Sequence, residues 1–284
     1  MVEPVAIASD PSGPGPNEDT AGSAGNARRG AAWVIDGCTD VAGRTFVPGE
    51  PSDAAWYART LEAAFEDLWD GSPGAVARAA IGRAAAAWSA AVGAVEVPRY
   101  GLPSAAAVWA TWSDDRLTVA GLGDCTAILR PDGGPARSLG RHGITVSEAA
   151  LNAAVRRLQQ SGVEDPAQRR SALADRLRTA RARMNAPGGY WIFSIDPAAA
   201  DHLDTVEERL EGGGHVLLAS DGFWRLVDPY GVLTADALMD AVVARGPAAV
   251  LADLRAIEAG DAACVRFPRL KVRDDATAVL LRYG

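Results

Sequence analysis

Sulfur and imidazole are scarce in this chain: 284 residues hold three cysteines, three methionines and three histidines. Cys38, Cys125 and Cys264 are odd in number, widely spaced and form no CxxC pair. That excludes a disulfide framework and a cysteine-based zinc site, and leaves buried thiols in a reducing compartment as the expectation. No apolar run approaches the roughly 18 residues of a membrane span. No basic-then-apolar leader opens the sequence, so the expected location is cytoplasmic, without a membrane partner. Positive charge is also in the minority. Lys and Arg number 28 against 36 Asp and Glu, a net charge of −8, which argues against a broad nucleic-acid surface. An acidic surface would repel a phosphorylated substrate too, unless bound metal reverses the sign locally.

What is present is the composition of an ordinary globular protein, 48% hydrophobic and 23% charged, with a length suited to one large α/β domain or two small ones. Strands are expected at 2–9, 31–35, 105–112, 117–122, 125–130, 190–195 and 276–282, and as a hairpin over 206–210 and 215–219. Pro4 marks the first as an edge strand. Residues 10–30, rich in Gly, Pro, Ser and Asn, read as loop. Helices are expected from an N-cap at Ser52 or Asp53 to about Trp69, over 75–92, through most of 146–184 with a break at Asp165-Pro166, and over 234–245 and 248–259. Meanders with hairpins argue against a parallel sheet. The expected class is α+β: a four-layer α/β-β/α sandwich of two antiparallel sheets flanked by helix pairs.

Three segments share one grammar, an aspartate at a strand end. They are Trp33-Val34-Ile35-Asp36-Gly37, Val216-Leu217-Leu218-Ala219-Ser220-Asp221-Gly222, and Arg273-Asp274-Asp275 just before the last strand. Asn17-Glu18-Asp19 adds a fourth acidic element. Carboxylates gathered from both extremes of a chain are costly to bury unless something positive lies between them. A hard divalent cation, or a pair, meets that need. Ser220 has no histidine neighbour in sequence, which disfavours a serine nucleophile and leaves it a turn-bonding role.

In order and spacing these motifs resemble those of the metal-dependent protein phosphatases of the 2C type, the PPM family. Asn17-Glu18-Asp19 is similar to that family's N-terminal acidic motif, and Val34-Ile35-Asp36-Gly37 to its Asp-Gly motif. The segment from Leu117 to Leu129, with Gly123-Asp124 at its centre, is similar to its strand–Gly-Asp–strand segment. Ser220-Asp221-Gly222 and Asp274-Asp275 match its two C-terminal motifs. The resemblance spans Asn17 to Leu281 and implies one phosphatase domain over 1–284, with a helical flap-like insertion at about 143–189. It implies that Asp36 bridges two Mg²⁺ or Mn²⁺ ions and that Gly37 offers its carbonyl. Asp221 and Asp274 would complete one ion's shell; Glu18, with Asp19 through water, would serve the other. Asp124 matches an aspartate that helps hold a third, weaker ion in bacterial members. Asp275 reads as a supporting or turn residue.

The implied activity is hydrolysis of phosphoserine or phosphothreonine in proteins, by direct attack of a metal-bridging hydroxide without a phosphoenzyme. Two alternatives stand beside it: a phosphatase of a small phosphorylated metabolite, and a catalytically silent regulatory or binding module. The sequence departs from the family in lacking an arginine ahead of Glu18. Arg28, Arg29, Arg44 and Arg141 are the candidates to hold substrate phosphate instead. His142 is the candidate acid in place of a histidine absent after Asp36-Gly37. Arg156, Arg157, Arg169, Arg170, Arg176, Arg178, Arg181 and Arg183 are expected on a solvated helix face open to an acidic partner. The substrate, the metal and the oligomeric state are not encoded in any of these motifs.

Overall fold

A computed structural model describes residues 1–140 and 146–284. Strands β1 (Val2–Asp10), β2 (Asp19–Gly25) and β3 (Arg29–Gly37) lead into helices α1 (Asp53–Leu68) and α2 (Pro73–Val92). Strands β4 (Ala105–Ser113), β5 (Arg116–Leu122), β6 (Thr126–Pro131) and β7 (Arg137–Ser138) follow, then helices α3 (Val146–Gln160), α4 (Pro166–Ala172) and α5 (Ala174–Arg181). After β8 (Asp204–Arg209) and β9 (Gly214–Ala219) come the single turn α6 (Asp221–Trp224), α7 (Ala235–Arg245), α8 (Pro247–Ala259) and β10 (Ala276–Tyr283). Two antiparallel five-stranded sheets result, ordered β1-β10-β9-β6-β7 and β2-β3-β4-β5-β8.

The period-two alternation of strand side chains builds the layers. On β3, Ala31, Trp33 and Ile35 pack with α1 and α2, whereas Ala32 and Val34 face the opposite sheet. Val216, Leu218, Val279 and Leu281 answer them from that sheet, while Leu217 and Leu280 turn outward onto Leu238 and Leu254 of α7 and α8. The order is helix pair, sheet, sheet, helix pair, the α+β sandwich that the pattern predicts. Local signals agree with it. Ser52 caps α1 by accepting the Ala55 amide at 3.2 Å, and Pro73 opens α2 where no amide partner is needed. Pro4 lies on β1, an edge strand, beside a shift in its register with β10.

Three expectations are corrected. Residues 10–30 are not all loop, because β2 pairs with β3 along its length, from Asp19↔Asp36 to Gly25↔Gly30. Its sequence, Asp-Thr-Ala-Gly-Ser-Ala-Gly, is poor in strand formers, but β3 supplies a full ladder. Gly22 is needed there, since a Cβ would come within 2.7 Å of the Trp33 ring. The run at 190–195 forms only isolated bridges, Ala105↔Phe193 and Met184↔Tyr190; its apolar character comes from burying Ile192 and Phe193. Strands β8 and β9 are not a hairpin. One pairs with β5 and the other with β6 and β10, so the glycines between them carry the chain from one sheet to the other.

Candidate metal centre

The strand ends that carry acids meet at one edge of the sandwich. Asp36 follows Ala32 and Val34 on the inter-sheet face of β3, so it emerges where the gap between the sheets opens. Asp19 is its in-register partner on β2. Asp221 begins α6 directly after β9, Asp274 precedes β10, and Asp124 lies between β5 and β6. Burial pushes the Asp36 carboxyl well above the usual carboxylate range, and the charges of Asp19, Asp221, Asp124 and Asp274 add to the shift. The structure thus brings the five sequence-predicted aspartates into one electrostatic neighbourhood.

Asp19 is the deepest of them. Its side chain is 4% exposed, and both Oδ atoms are buried without a hydrogen-bond partner. Its pKa is raised to about 8, chiefly by burial, with Asp275 and Asp221 adding to the rise and the nearby Thr277 and Ser220 hydroxyls offsetting part of it. Ser220 Oγ meanwhile accepts the Thr277 amide at 2.9 Å, bonding its own turn.

Glu18 and Asp274 have the opposite character. Glu18 Oε1 accepts the Ser52 hydroxyl at 2.5 Å, and Oε2 accepts the Thr39 hydroxyl. Asp274 Oδ1 lies 2.5 Å from Lys271 Nζ, and Oδ2 lies 2.6 Å from Arg225 Nη2. Burial would raise the Asp274 carboxyl, but Lys271 and Arg225 outweigh it and hold it below its ordinary value. Arg225 is itself backed by the fully buried Glu258 at 3.7 Å. Two further contacts fix the acidic loop. Asp275 accepts the Ser12 and Glu18 amides at 2.5 and 2.7 Å, and the Gly37 amide donates to Glu18 O at 2.9 Å. A Cβ at Gly37 would lie 2.6 Å from that oxygen and 2.8 Å from Ala54 O, so packing alone already demands glycine.

A cleft of about 220 Å³ opens beside these groups, lined by Asp124, Asp221, Asp274, Arg170, Arg225 and Lys271 among others. Among the described residues, its cations do not include Arg28, Arg29 or Arg44. Arg29 begins β3 and Asp36 nearly ends it, about 23 Å apart at ~3.3 Å per residue; Arg29 pairs instead with exposed Asp70 at 3.7 Å. Arg28 borders a separate groove with Met1 and Gly284, and Arg44 lies over the Phe46 ring at 4.3 Å. Arg141 and His142 fall outside the described residues. Lys271 and Arg225 carry only a weak sequence signal: each lies three or four residues from a predicted ligand, Asp274 or Asp221. Arg170 carried none, because only tertiary folding brings α4 to the cleft.

The arginines of 143–189 are also corrected in part. Arg170 donates to Asp40 O at 3.3 Å, Arg178 to Val41 O at 3.1 Å, and Arg181 to Thr39 O at 3.3 Å and Ser104 Oγ at 3.0 Å. Arg169 is fully buried and donates to Ala263 O at 2.9 Å. Arg170, Arg178 and Arg181 clamp the loop that follows Asp36-Gly37, where carbonyls would otherwise lack partners.

Fit to a cation divides the site. Among the described residues, no group of three or more Asp, Glu, His or Cys side chains is drawn into a finished metal cage. At Asp19, however, both buried carboxylate oxygens lack a hydrogen-bond partner, and its repulsion with Asp36 adds to the demand for a hard, oxygen-liganded ion. At Glu18 and Asp274, protein donors already bind the carboxylates.

No protein-family model matches the chain, and no curated protein matches it by sequence. Solved structures do. PppA of Pseudomonas aeruginosa, described as a key regulatory component of T6SS, superposes with a TM-score of 0.59 at 14% identity, over 99% of this chain and 98% of its own. The catalytic domain of the serine/threonine protein phosphatase PstP in complex with two manganese ions gives 0.55 at 18% identity, over 100% and 99%. RsbX in complex with magnesium gives 0.51 at 10% identity, over the full length of both. Along its whole length, then, the chain has the fold of these three structures, one of them a serine/threonine phosphatase catalytic domain.

Proposed function

We propose that the chain is a divergent PPM-type phosphatase, a metal-dependent phosphomonoester hydrolase acting on phosphoserine or phosphothreonine in proteins, with 1–284 as one domain and 143–189 as its flap-like insertion. The observation that carries this reading is the buried, unpartnered Asp19 carboxylate facing Asp36 across a strand pair, with Asp221 and Asp124 close by. A silent scaffold has no use for that arrangement, since replacing an unsatisfied buried acid by an apolar residue relieves its desolvation cost. The fold shared with solved phosphatases supports the same reading.

Asp36, Asp19 and Asp221, with Asp124 at the cleft wall, would hold Mg²⁺ or Mn²⁺, hard ions suited to an all-oxygen donor set. The ion, when bound, supplies an acidified water and neutralises charge on phosphoryl oxygens. The chain's own residues supply the rest. Arg170 and Lys271 line the cleft with positive charge, which offsets the overall negative surface and draws in a phosphate dianion. Asp275 and Gly37 set the height of Glu18 and Asp19 against β3. Cleft cations in place of the missing upstream arginine remove the reason for preferring a small metabolite over a phosphoprotein.

The test is Mn²⁺-dependent hydrolysis of an aryl phosphate and of phosphoserine and phosphothreonine peptides. Asp36→Asn is expected to lose at least about a thousandfold in kcat/KM, the several kcal/mol of charge stabilisation a Lewis-acid centre supplies. Unchanged turnover in both Asp36→Asn and Asp221→Asn overturns the reading.

A further inference from the structure

We propose that Lys271 is a resident cation occupying one of the two positions at which divalent ions would otherwise sit, so that the centre takes a single Mn²⁺ or Mg²⁺ on its Asp19–Asp36 side. This rests on the metal-dependent reading above and specifies how many ions the centre takes.

The acidic residues divide into two halves by what already binds them. In the first half, every carboxylate oxygen of Glu18 and Asp274 has a protein donor. Lys271 Nζ lies 2.5 Å from Asp274 Oδ1 and 2.7 Å from Thr39 Oγ1. The Thr39 hydroxyl passes its own proton to Glu18 Oε2, Ser52 donates to Glu18 Oε1, and Arg225 takes Asp274 Oδ2. An ammonium and a hydroxyl therefore join two acids from opposite ends of the chain, the task the family resemblance gave to divalent ions. In the second half, Asp19 keeps both oxygens buried and without donors. The demand for added positive charge lies there.

Lys271 is built to stay. It comes from the same loop as Asp274, three residues earlier, so its charge is tethered at high local concentration. Its side chain is 29% exposed and that of Asp274 17%, which shields the pair from salt. A second divalent ion brought to Asp274 would meet both Lys271 and Arg225 at close range and would have to displace the ammonium from its oxygen. PstP has been solved with two manganese ions; in this chain the lysine places a single positive charge where a second divalent ion would go.

Metal-stripped protein is titrated with Mn²⁺ alone, and bound ions are counted by calorimetry and by loss of the free Mn²⁺ electron-spin signal. Wild type is expected to bind one Mn²⁺ per chain, and Lys271→Ala two, with Lys271→Arg remaining at one. Circular dichroism checks that each variant is folded, and Lys271→Met serves if Lys271→Ala is not. Two ions bound by the wild type, or one still bound by a folded Lys271→Ala or Lys271→Met, overturns the assignment of Lys271 while leaving the metal centre standing. No ion bound by any variant overturns the metal-dependent reading itself, and this inference with it.

Discussion

Asp19 and Asp36 sit directly opposite each other across β2 and β3, with their side chains on the face that looks into the gap between the sheets. Like charges in that cross-strand relation repel. In a ladder otherwise lined by Ala21, Ala32 and Val34, nothing else on the face answers them. The fold tolerates the pair by keeping protons on it or by admitting a cation.

That relationship sets a pH dependence. An unfolded aspartate titrates near 3.9, while Asp19 in the metal-free fold titrates at about 8. Between those values the folded chain binds more protons than the unfolded one, so its stability falls as pH rises through the window, by at most ~1.4 kcal/mol per unit from this group. Below the lower value both states are protonated and the penalty is absent. Melting of EDTA-treated protein is expected to drop from about pH 5 to about pH 8, and Asp19→Asn or saturating Mn²⁺ to flatten the slope. A slope unchanged by Asp19→Asn contradicts the assignment.

Arg225 makes a stability prediction of a different kind. It sits between Asp274 and the fully buried Glu258. Arg225→Ala takes one cation from each acid while Asp274 keeps Lys271 and Glu258 keeps Arg255, so the cost is about 3 kcal/mol, the low end for breaking a buried pair on one side. Urea denaturation is expected to show a loss of that order. Combining Arg225→Ala with Glu258→Gln should recover part of it.

The position of the cleft cations separates two sets of arginines. Arg170→Ala is expected to raise KM for a phosphopeptide roughly tenfold, the ~1.5–3 kcal/mol of a charge-assisted hydrogen bond. Arg29→Ala, at the far end of β3, should leave both kcat and KM as they are. The reverse pattern in steady-state kinetics would return the phosphate contact to the N-terminal arginines.

Much of this was legible in the sequence because the acids close strands, and strand ends are readable from apolar runs that stop at Asp-Gly. Asp36 and Asp221 announce themselves that way. Strand β2 does not, since its Ala, Gly and Ser residues carry no strand preference and its pairing comes from β3. The glycines at 212–214 signal a reversal but not which sheet the chain re-enters, so β8 and β9 were read as partners. Lys271 and Arg225 were hidden for a different reason. A lysine in a loop has no periodicity that would mark it as facing the acids three residues away.

Asp275 closes its carboxylate on the amides of Ser12 and Glu18, and β10 inserts between β1 and β9. The earliest part of the chain is therefore held by nearly its last. On a ribosome, everything up to α8 can emerge while the Ser12 and Glu18 amides lack their Asp275 acceptor and β1 has no strand partner. Ion capture waits on the emergence of β10, and a product ending before β10 would carry most of the acids yet no competence to use them.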